Sequence, residues 1–239
     1  MSESKGAAIA DRAPLFELGG PSHLFTWLLS PFRQRGLVDT YKAQNPKAVD
    51  IGYGICVGLV AEWVRLHTTD KGKDAHYRMK VLSTGGRDIA VKAQVSFLKF
   101  KGEAREAGSK GAIGAALKQR KVSRTISATS PKWYWTVTDV KIGELRTFLT
   151  AQVSSQDNYY IFNLYFGVDG HAVAAYHEAT AMGGALRIFE PNFGEFLVPY
   201  DEFGRFWTDL IAEYRRYRDR AGTLDPKVLN AIAVHTLTS

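Results

Sequence analysis

Short strand-like runs separated by tight turns between residues 159 and 198 constrain the fold of this chain more than any other feature. The runs are mostly apolar, aromatic or β-branched, as strands are, and cover residues 159–166, 171–178, 185–190 and 195–198. The turn at 167–170 contains Asp-Gly, a strong hairpin signal. Because turns of this length can join only antiparallel strands, the sequence predicts an antiparallel meander.

Helical patterns stand on both sides of this predicted sheet. Gly52 and Gly54 lead into residues 55–67, where apolar side chains recur at helical spacing, so we expect a tight loop that opens a buried helix. An amphipathic helix is predicted after Asp201, over residues 203–217. The predicted fold class is therefore α+β, with a helical N-terminal part packed on a C-terminal antiparallel sheet. Less regular patterns predict short helices within residues 22–34 and 113–120, and strands within residues 132–140 and 146–153.

The length and composition fit one large domain. The chain has 239 residues, of which 45% are hydrophobic and 23% charged, an ordinary globular balance. We expect residues 1–20, which are mostly small and polar, to form a flexible leader, and residues 21–239 to form the folded domain. No apolar run is long enough for a membrane helix, and the first residues do not resemble a signal peptide for Sec export.

Most of the net charge of +7 lies in residues 99–124, which contain eight Lys or Arg and two Glu. Several glycines interrupt this segment, so we interpret it as a basic, partly mobile insertion. A solvated basic face is the commonest reason for such a run, but the charge would also suit an acidic surface partner. Proteins that bind single-stranded nucleic acids interleave basic residues with aromatic ones. That pattern is weak here, and we therefore expect no nucleic-acid partner.

The chain contains a single cysteine, Cys56. One cysteine excludes an intramolecular disulfide and any metal site built from several thiolates. A lone cysteine is usually a small buried hydrophobic residue. Cys56, however, stands where the glycine-containing loop becomes a helix, and a helix N-terminus lowers the pKa of a thiol. Cys56 is therefore also a candidate nucleophile, and its own N–H can donate to a developing oxyanion.

A nucleophilic cysteine requires a histidine, and His171 is the best placed of the six. It opens a predicted strand directly after a tight turn, at a sheet edge that can line a cleft. His67 lies in the predicted helix of Cys56, and His177 lies about 20 Å from His171 along the same strand. If the following strands pair, Glu190 lies near His171, where a carboxylate orients an imidazole. Spacing alone also allows Glu190 to be a surface carboxylate and His171 a polar turn residue.

Three segments resemble the active-site blocks of the YopT/AvrPphB-type cysteine proteases, peptidase family C58 of clan CA. They are GYGICVGLVAEWVR, DGHAVAAYHE and IFEPNFGEF. The family pattern is a glycine-flanked cysteine that heads a helix with a downstream tryptophan, then His-Ala on a strand, then an acidic residue before Pro-Asn-x-Gly. This chain matches it at Cys56 with Trp63, at His171-Ala172, and at Glu190 followed by residues 191–194.

The resemblance implies a papain-like fold and a thiol protease in which Cys56 is the nucleophile, His171 the base and Glu190 the residue that orients the histidine. The family usually has aspartate at the position of Glu190, so this chain departs from the pattern by one methylene. Asn192 is the alternative orienting residue. Papain-like enzymes complete the oxyanion hole with a polar side chain upstream of the cysteine, and here Asn45 is the candidate.

The resemblance also implies a bacterial virulence effector that a specialised secretion system delivers into a host cell. Its substrate would be a host protein, often a lipidated one, cleaved in the host cytoplasm or at a membrane surface without a metal or cofactor. Three alternatives remain open. An acyltransferase, transglutaminase-like enzyme or deamidase shares the first half-reaction. A non-catalytic module would bind an acidic partner through residues 99–124, and an inactive relative would keep the fold for contacts alone.

Overall fold

The protein is described by a computed structural model that covers residues 23–46, 51, 54–103, 108–122, 124–129, 133–134, 158–166, 169–178, 184–220 and 231–238, with residues 144, 145, 147 and 149. The expected leader, residues 1–20, lies outside the described residues. A 3₁₀ helix spans His23–Trp27. The longer helices are α1 (Gln34–Gln44), α2 (Cys56–Thr69), α3 (Ala75–Thr84), α4 (Gly86–Glu103), α5 (Gly108–Gln119) and α6 (Phe203–Arg220).

The described strands form one antiparallel sheet. They are β1 (Leu28–Pro31), β2 (Thr125–Thr129), β3 (Trp133–Tyr134), β4 (Tyr159–Phe166), β5 (Asp169–Glu178), β6 (Ala185–Glu190), β7 (Gly194–Pro199) and β8 (Ala231–Thr238). Their order is β1-β7-β6-β5-β4-β8-β2, and β3 also pairs with β8. The predicted meander is confirmed as the run from β4 to β7, and the predicted helices at Cys56 and after Asp201 are confirmed as α2 and α6.

The sheet extends past the meander on both sides, and here some predictions are wrong. The segment expected to form a short helix before Pro31 is instead the 3₁₀ helix followed by β1, which pairs with β7. Pro31 is tolerated because β1 lies at the edge of the sheet. The strand expected over 146–153 is wrong at residues 147 and 149, which are helical, and residues 150–153 lie outside the described residues. Leu145 and Leu149, four residues apart, are both buried, which is a helical spacing.

Helices cover both faces of the sheet, and because the sheet is antiparallel the fold is α+β. Side chains of β4 alternate between two cores, as the two-residue period of a strand requires. Tyr159 and Ile161 pack in the core around α2. Tyr160 and Phe162 pack in the core around α6, where Trp207 is fully buried. Among the described residues, none of the helices combines the length and apolar character needed to cross a lipid bilayer.

The basic segment 99–124 is helical over much of its described part, because it contains the end of α4 and all of α5. These two helices pack against each other and against α2. Ile113 and Leu117 of α5 are buried. Arg120 pairs with Glu62 of α2 at 2.6 Å, so part of the positive charge of this segment joins α5 to α2. The mobility expected of this segment stays a prediction.

Gly58 marks the closest approach of α2 and α4. A Cβ atom there would lie 1.9 Å from the carbonyl oxygen of Ala90, so the α4 backbone would have to move. We predict that Gly58→Ala lowers the free energy of unfolding by about 3 kcal/mol. A urea titration that follows helical circular dichroism measures this loss. Gly114→Ala is the matched control, because no atom lies within 4 Å of the added methyl group. Equal unfolding midpoints for Gly58→Ala and the unsubstituted protein would contradict the close-packing argument.

Candidate active site

Cys56 is the first residue of α2 and is buried. Its position follows from the local sequence, because the apolar pattern of α2 starts here and the preceding loop contains Gly54. The first-turn N–H groups of a helix are not used within the helix, and the helix dipole favours negative charge at this end. A thiolate at Cys56 is therefore stabilised by the backbone that surrounds it.

His171 and Glu190 come together on neighbouring strands of the meander. Strands β5 and β6 pair with Ala174 opposite Phe189, so Glu190, the last residue of β6, lies close to the start of β5. His171 Nε2 donates a hydrogen bond to Glu190 Oε1. The Glu190 side chain is fully buried, and the His171 side chain is 11% exposed. Because Nε2 is used by the carboxylate, Nδ1 is the ring nitrogen that remains for the thiol.

Asn192 fixes the carboxylate from the turn that follows β6. Its backbone N–H donates to Glu190 Oε2 at 2.7 Å, and its side-chain Nδ2 donates to Glu190 Oε1 at 3.1 Å. Asn192 Nδ2 also lies 3.4 Å from His171 Nε2. Both nitrogens carry hydrogens when each donates to Glu190, so this second approach is a contact and not a hydrogen bond.

The electrostatics of the cluster favour a charged thiol and a charged imidazole. Burial opposes ionisation of Cys56, yet its pKa is lowered by the hydrogen bond and charge of His171 and by the backbone N–H groups of Ala172 and Val57. Burial also opposes protonation of His171, but the charge of Glu190 and the hydrogen bonds to Cys56 and Glu190 raise its pKa to about 10. These shifts favour a thiolate beside an imidazolium, the form in which a cysteine is nucleophilic.

Comparison with known proteins places the chain in a family. Residues 33–225 match the model of peptidase family C58, described as the Yersinia/Haemophilus virulence surface antigen. The chain belongs to this family. Its predicted resemblance to the YopT/AvrPphB-type cysteine proteases is thereby confirmed.

The chain is similar to curated relatives whose names place them with the YopT-like cysteine proteases. It is 29% identical to y4zC of Sinorhizobium fredii over 166 residues, which are 67% of this chain and 59% of that protein. It is 27% identical to blr2140 of Bradyrhizobium diazoefficiens over 161 residues, which are 62% of this chain and 52% of that protein. The chain thus spans between about half and three fifths of the length of these relatives.

A solved structure confirms the fold. The crystal structure of the Pseudomonas avirulence protein AvrPphB matches with a TM-score of 0.60 at 19% sequence identity. The match covers 77% of this chain and 92% of that one. At this identity the likeness concerns the fold, and the papain-like α+β fold predicted from the sequence of this C58 chain is confirmed.

The site of this C58 chain contains a residue that the sequence did not indicate, Gln34, and it leaves out one that was expected, Asn45. Gln34 is buried at the start of α1 and accepts a hydrogen bond from the Ile55 N–H at 3.3 Å, directly before Cys56 in the sequence. Asn45 follows the last residue of α1, is exposed, and its side chain donates to the Tyr41 carbonyl. Since α1 rises 1.5 Å per residue, Asn45 lies about 16 Å from Gln34 and outside the cluster. No local pattern could have identified Gln34, because its partners are far away in the sequence.

Aromatic rings enclose the histidine of this site. Tyr214 of α6 meets the His171 ring edge-on, with the ring centroids 5.8 Å apart. Phe193 lies 5.8 Å from Tyr214 on the turn that carries Asn192. The His171 and Glu190 side chains are 11% and 0% exposed, and a hydrogen bond in such a buried environment is electrostatically stronger than one in water.

A cavity of about 490 Å³ lies elsewhere, at the far end of α2, with His67, Tyr159, Tyr176, Arg78 and Arg187 in its wall. It is about 16 Å from Cys56 along the helix axis and includes none of the clustered residues. Within the described part of the chain, no group of three or more His, Cys, Asp or Glu side chains is arranged to hold a metal ion.

Proposed function

We propose that this C58 chain is a thiol protease that cleaves a peptide bond in a host protein, with Cys56 as nucleophile, His171 as acid and base, and Glu190 as the residue that orients His171. The observation that carries the proposal is the contact series from a thiol at a helix N-terminus, through one imidazole, to a buried carboxylate. Asn192 supports the carboxylate, as its two hydrogen bonds to Glu190 indicate.

The chemistry follows from the charges and donors at the site. The Cys56 thiolate attacks the scissile carbonyl, a C–S bond forms, and the carbonyl oxygen takes up negative charge. The Cys56 N–H, free of partners within the helix at this position, can donate to that oxygen. His171 then gives its Nδ1 proton to the leaving amine, and the C–N bond breaks. In the second half, neutral His171 takes a proton from water, the hydroxide attacks the thioester, and the thiolate returns.

Family membership supports the rest of the proposal. The chain acts as a bacterial effector delivered by a specialised secretion system into a host cell, in the host cytoplasm or at a membrane surface. Its substrate is a host protein, often of the lipidated class. Exposed lysines on α4 and α5, among them Lys99, Lys110 and Lys118, offer an acidic surface partner a place to bind.

Thiol alkylation tests the electrostatic core of this function without a known substrate. Because the Cys56 pKa is lowered and the His171 pKa is raised, the iodoacetamide rate should rise with pH through an inflection below the usual thiol value near 8.5. A second change is expected near pH 10, where His171 loses its proton. His171→Ala should move the first inflection upwards. An inflection in the native protein that equals the one in urea would contradict the proposal.

Cleavage itself is tested with a peptide library prepared from host-cell protein, followed by mass spectrometry. The chain should generate new peptide termini, and Cys56→Ala should generate none. Glutamines converted to glutamate or joined to amines, without new termini, would instead assign the site to a deamidase or acyltransferase. If the wild-type protein produces neither new termini nor modified glutamines, and its thiol has ordinary reactivity, the chain is a non-catalytic binding module.

A further inference from the structure

Gln34 joins the two halves of the site through its side-chain amide. Its Oε1 accepts from the Ile55 N–H at 3.3 Å, next to Cys56 on the helical side. Its Nε2 donates to Asn192 Oδ1 at 2.8 Å, on the sheet side. Its backbone N–H also donates to the Pro191 carbonyl at 2.8 Å, so main chain and side chain of Gln34 both contact the turn after β6.

The direction of each hydrogen bond in this bridge is fixed by chemistry. A backbone N–H can only donate, so the atom of Gln34 that faces Ile55 must be the oxygen. The NH₂ group of Gln34 must then face Asn192, and Asn192 must present its oxygen to Gln34. Asn192 is left with its own NH₂ group turned towards Glu190, which is the orientation that a carboxylate requires.

These bonds form a closed ring around the site. It runs from the Ile55 N–H through Gln34 and Asn192 to Glu190, on to His171, and through Cys56 back to Ile55. If the Asn192 amide turned over, its oxygen would lie about 3 Å from a Glu190 oxygen, and the two acceptors would repel. Gln34 removes that alternative, because it offers Asn192 only a donor.

We propose that Gln34 is a positioning residue that holds the Asn192 amide in one orientation and thereby keeps Glu190 and His171 aligned with Cys56. The inference rests on the proposed function and adds a residue to its machinery. Gln34 does not touch the reacting atoms in this role; it acts through Asn192.

The surroundings of Gln34 are built for this contact. The side chain is 7% exposed, which is unusual for glutamine, and both of its polar atoms are satisfied. Gly54 lies beside it, and a Cβ there would come within 3.2 Å of Gln34 Oε1 and press on the hydrogen bond to Ile55. A glycine at this place thus keeps room for the amide bridge.

A double-mutant cycle with Gln34→Met and Asn192→Ala tests the proposal. The readout is the pH profile of Cys56 alkylation by iodoacetamide, measured on the full chain. Gln34→Met keeps the side-chain size but removes donor and acceptor, and we expect it to lower the alkylation rate at pH 6.5 by about tenfold, by raising the thiol pKa. In a chain that already carries Asn192→Ala, Gln34→Met should change the alkylation rate by less than about twofold, because the amide through which Gln34 acts on Glu190 is already absent.

Additive effects of the two substitutions would overturn the proposal, as would an unchanged profile for Gln34→Met. Both results differ from a failure of the proposed function, which would show as an ordinary thiol pKa in the unsubstituted protein. If Gln34→Met does not fold by circular dichroism, Gln34→Glu replaces it, since one carboxylate oxygen can still accept from Ile55. The Cys56 alkylation rate of Gln34→Glu should approach that of the wild type as pH falls, because the protonated carboxyl group can again donate a hydrogen bond to Asn192. A ratio of the two rates that does not change with pH would overturn the proposal.

Discussion

Glu190→Gln is expected to lower kcat/KM for a cleaved peptide by about three to four orders of magnitude. The Asn192 N–H points at Glu190 Oε2 and needs an acceptor, so the glutamine oxygen will take that place. The glutamine NH₂ group will then occupy the position of Oε1, facing His171 Nε2. A donor there forces the imidazole proton onto Nδ1, where the ring can no longer accept a proton from the Cys56 thiol. The substitution thus changes the tautomer while the size of the side chain stays the same.

Glu190→Asp is the matched comparison for this prediction. It keeps the charge and restores the acid usual in the family, but it shortens the reach to His171 in a backbone adapted to glutamate. We expect a loss of about tenfold, much smaller than for Glu190→Gln, because the acceptor is kept. Steady-state kinetics on one peptide, together with the alkylation profile of Cys56, measure both variants. A Glu190→Gln enzyme within tenfold of wild type would show that Asn192, and not Glu190, orients His171.

The parts of this fold that could be predicted are those whose signals are local. Tight turns between short apolar, aromatic and β-branched runs predicted the meander from β4 to β7, and helical spacing predicted α2 with Cys56 at its start. His171 stands at the beginning of one predicted strand and Glu190 at the end of the next. That placement was enough to bring the two residues together once those strands paired.

The parts that could not be predicted depend on distant pairing. Strand β8 reaches back to pair with β4, where Asn163 lies 3.0 Å from His235 across 72 residues of sequence. Gln34 meets Asn192 across 158 residues. No periodicity in a single sequence reports such contacts. Asn45 was chosen by its nearness to Cys56 along the chain, but helix α1 carries it away from the site and brings Gln34 to it.

Glu195→Gln is expected to lower the free energy of unfolding by about 3–5 kcal/mol, the usual cost of leaving one partner of a buried ion pair alone. Glu195 is fully buried in β7 and accepts hydrogen bonds from Trp63 Nε1 at 2.8 Å, Arg78 Nε at 2.9 Å and Arg187 at 3.1 Å. It therefore joins α2, α3 and β6 to the strand that follows the Glu190 turn. Arg78 is 1% exposed, so removing the carboxylate leaves its charge buried without the anion that it pairs with in the native protein.

A surface ion pair provides the matched control for Glu195→Gln. Glu202 lies 3.8 Å from Arg205, and both side chains are well exposed, so Glu202→Gln removes the same charge at a cost below about 0.5 kcal/mol. Urea unfolding followed by tryptophan fluorescence measures both variants. Equal midpoints for the two substitutions would show that the buried cluster contributes no more than a surface pair.

The stabilising role of Glu195 can also be tested by the pH dependence of unfolding and by a second substitution at Arg78. Burial opposes ionisation of Glu195, but its hydrogen bonds to Arg78 and the charges of Arg78 and Arg187 lower its pKa. A carboxyl group with a lowered pKa in the folded state stabilises the protein above its unfolded pKa, and this stabilisation is lost as pH falls. The stability of the Glu195→Gln variant should therefore depend less on pH below about 5 than that of the wild type.

Adding Arg78→Met to Glu195→Gln should recover part of the lost stability, because the buried arginine charge that had lost its partner is then removed as well. Two additive losses of stability would instead indicate that each residue stabilises the fold through other contacts.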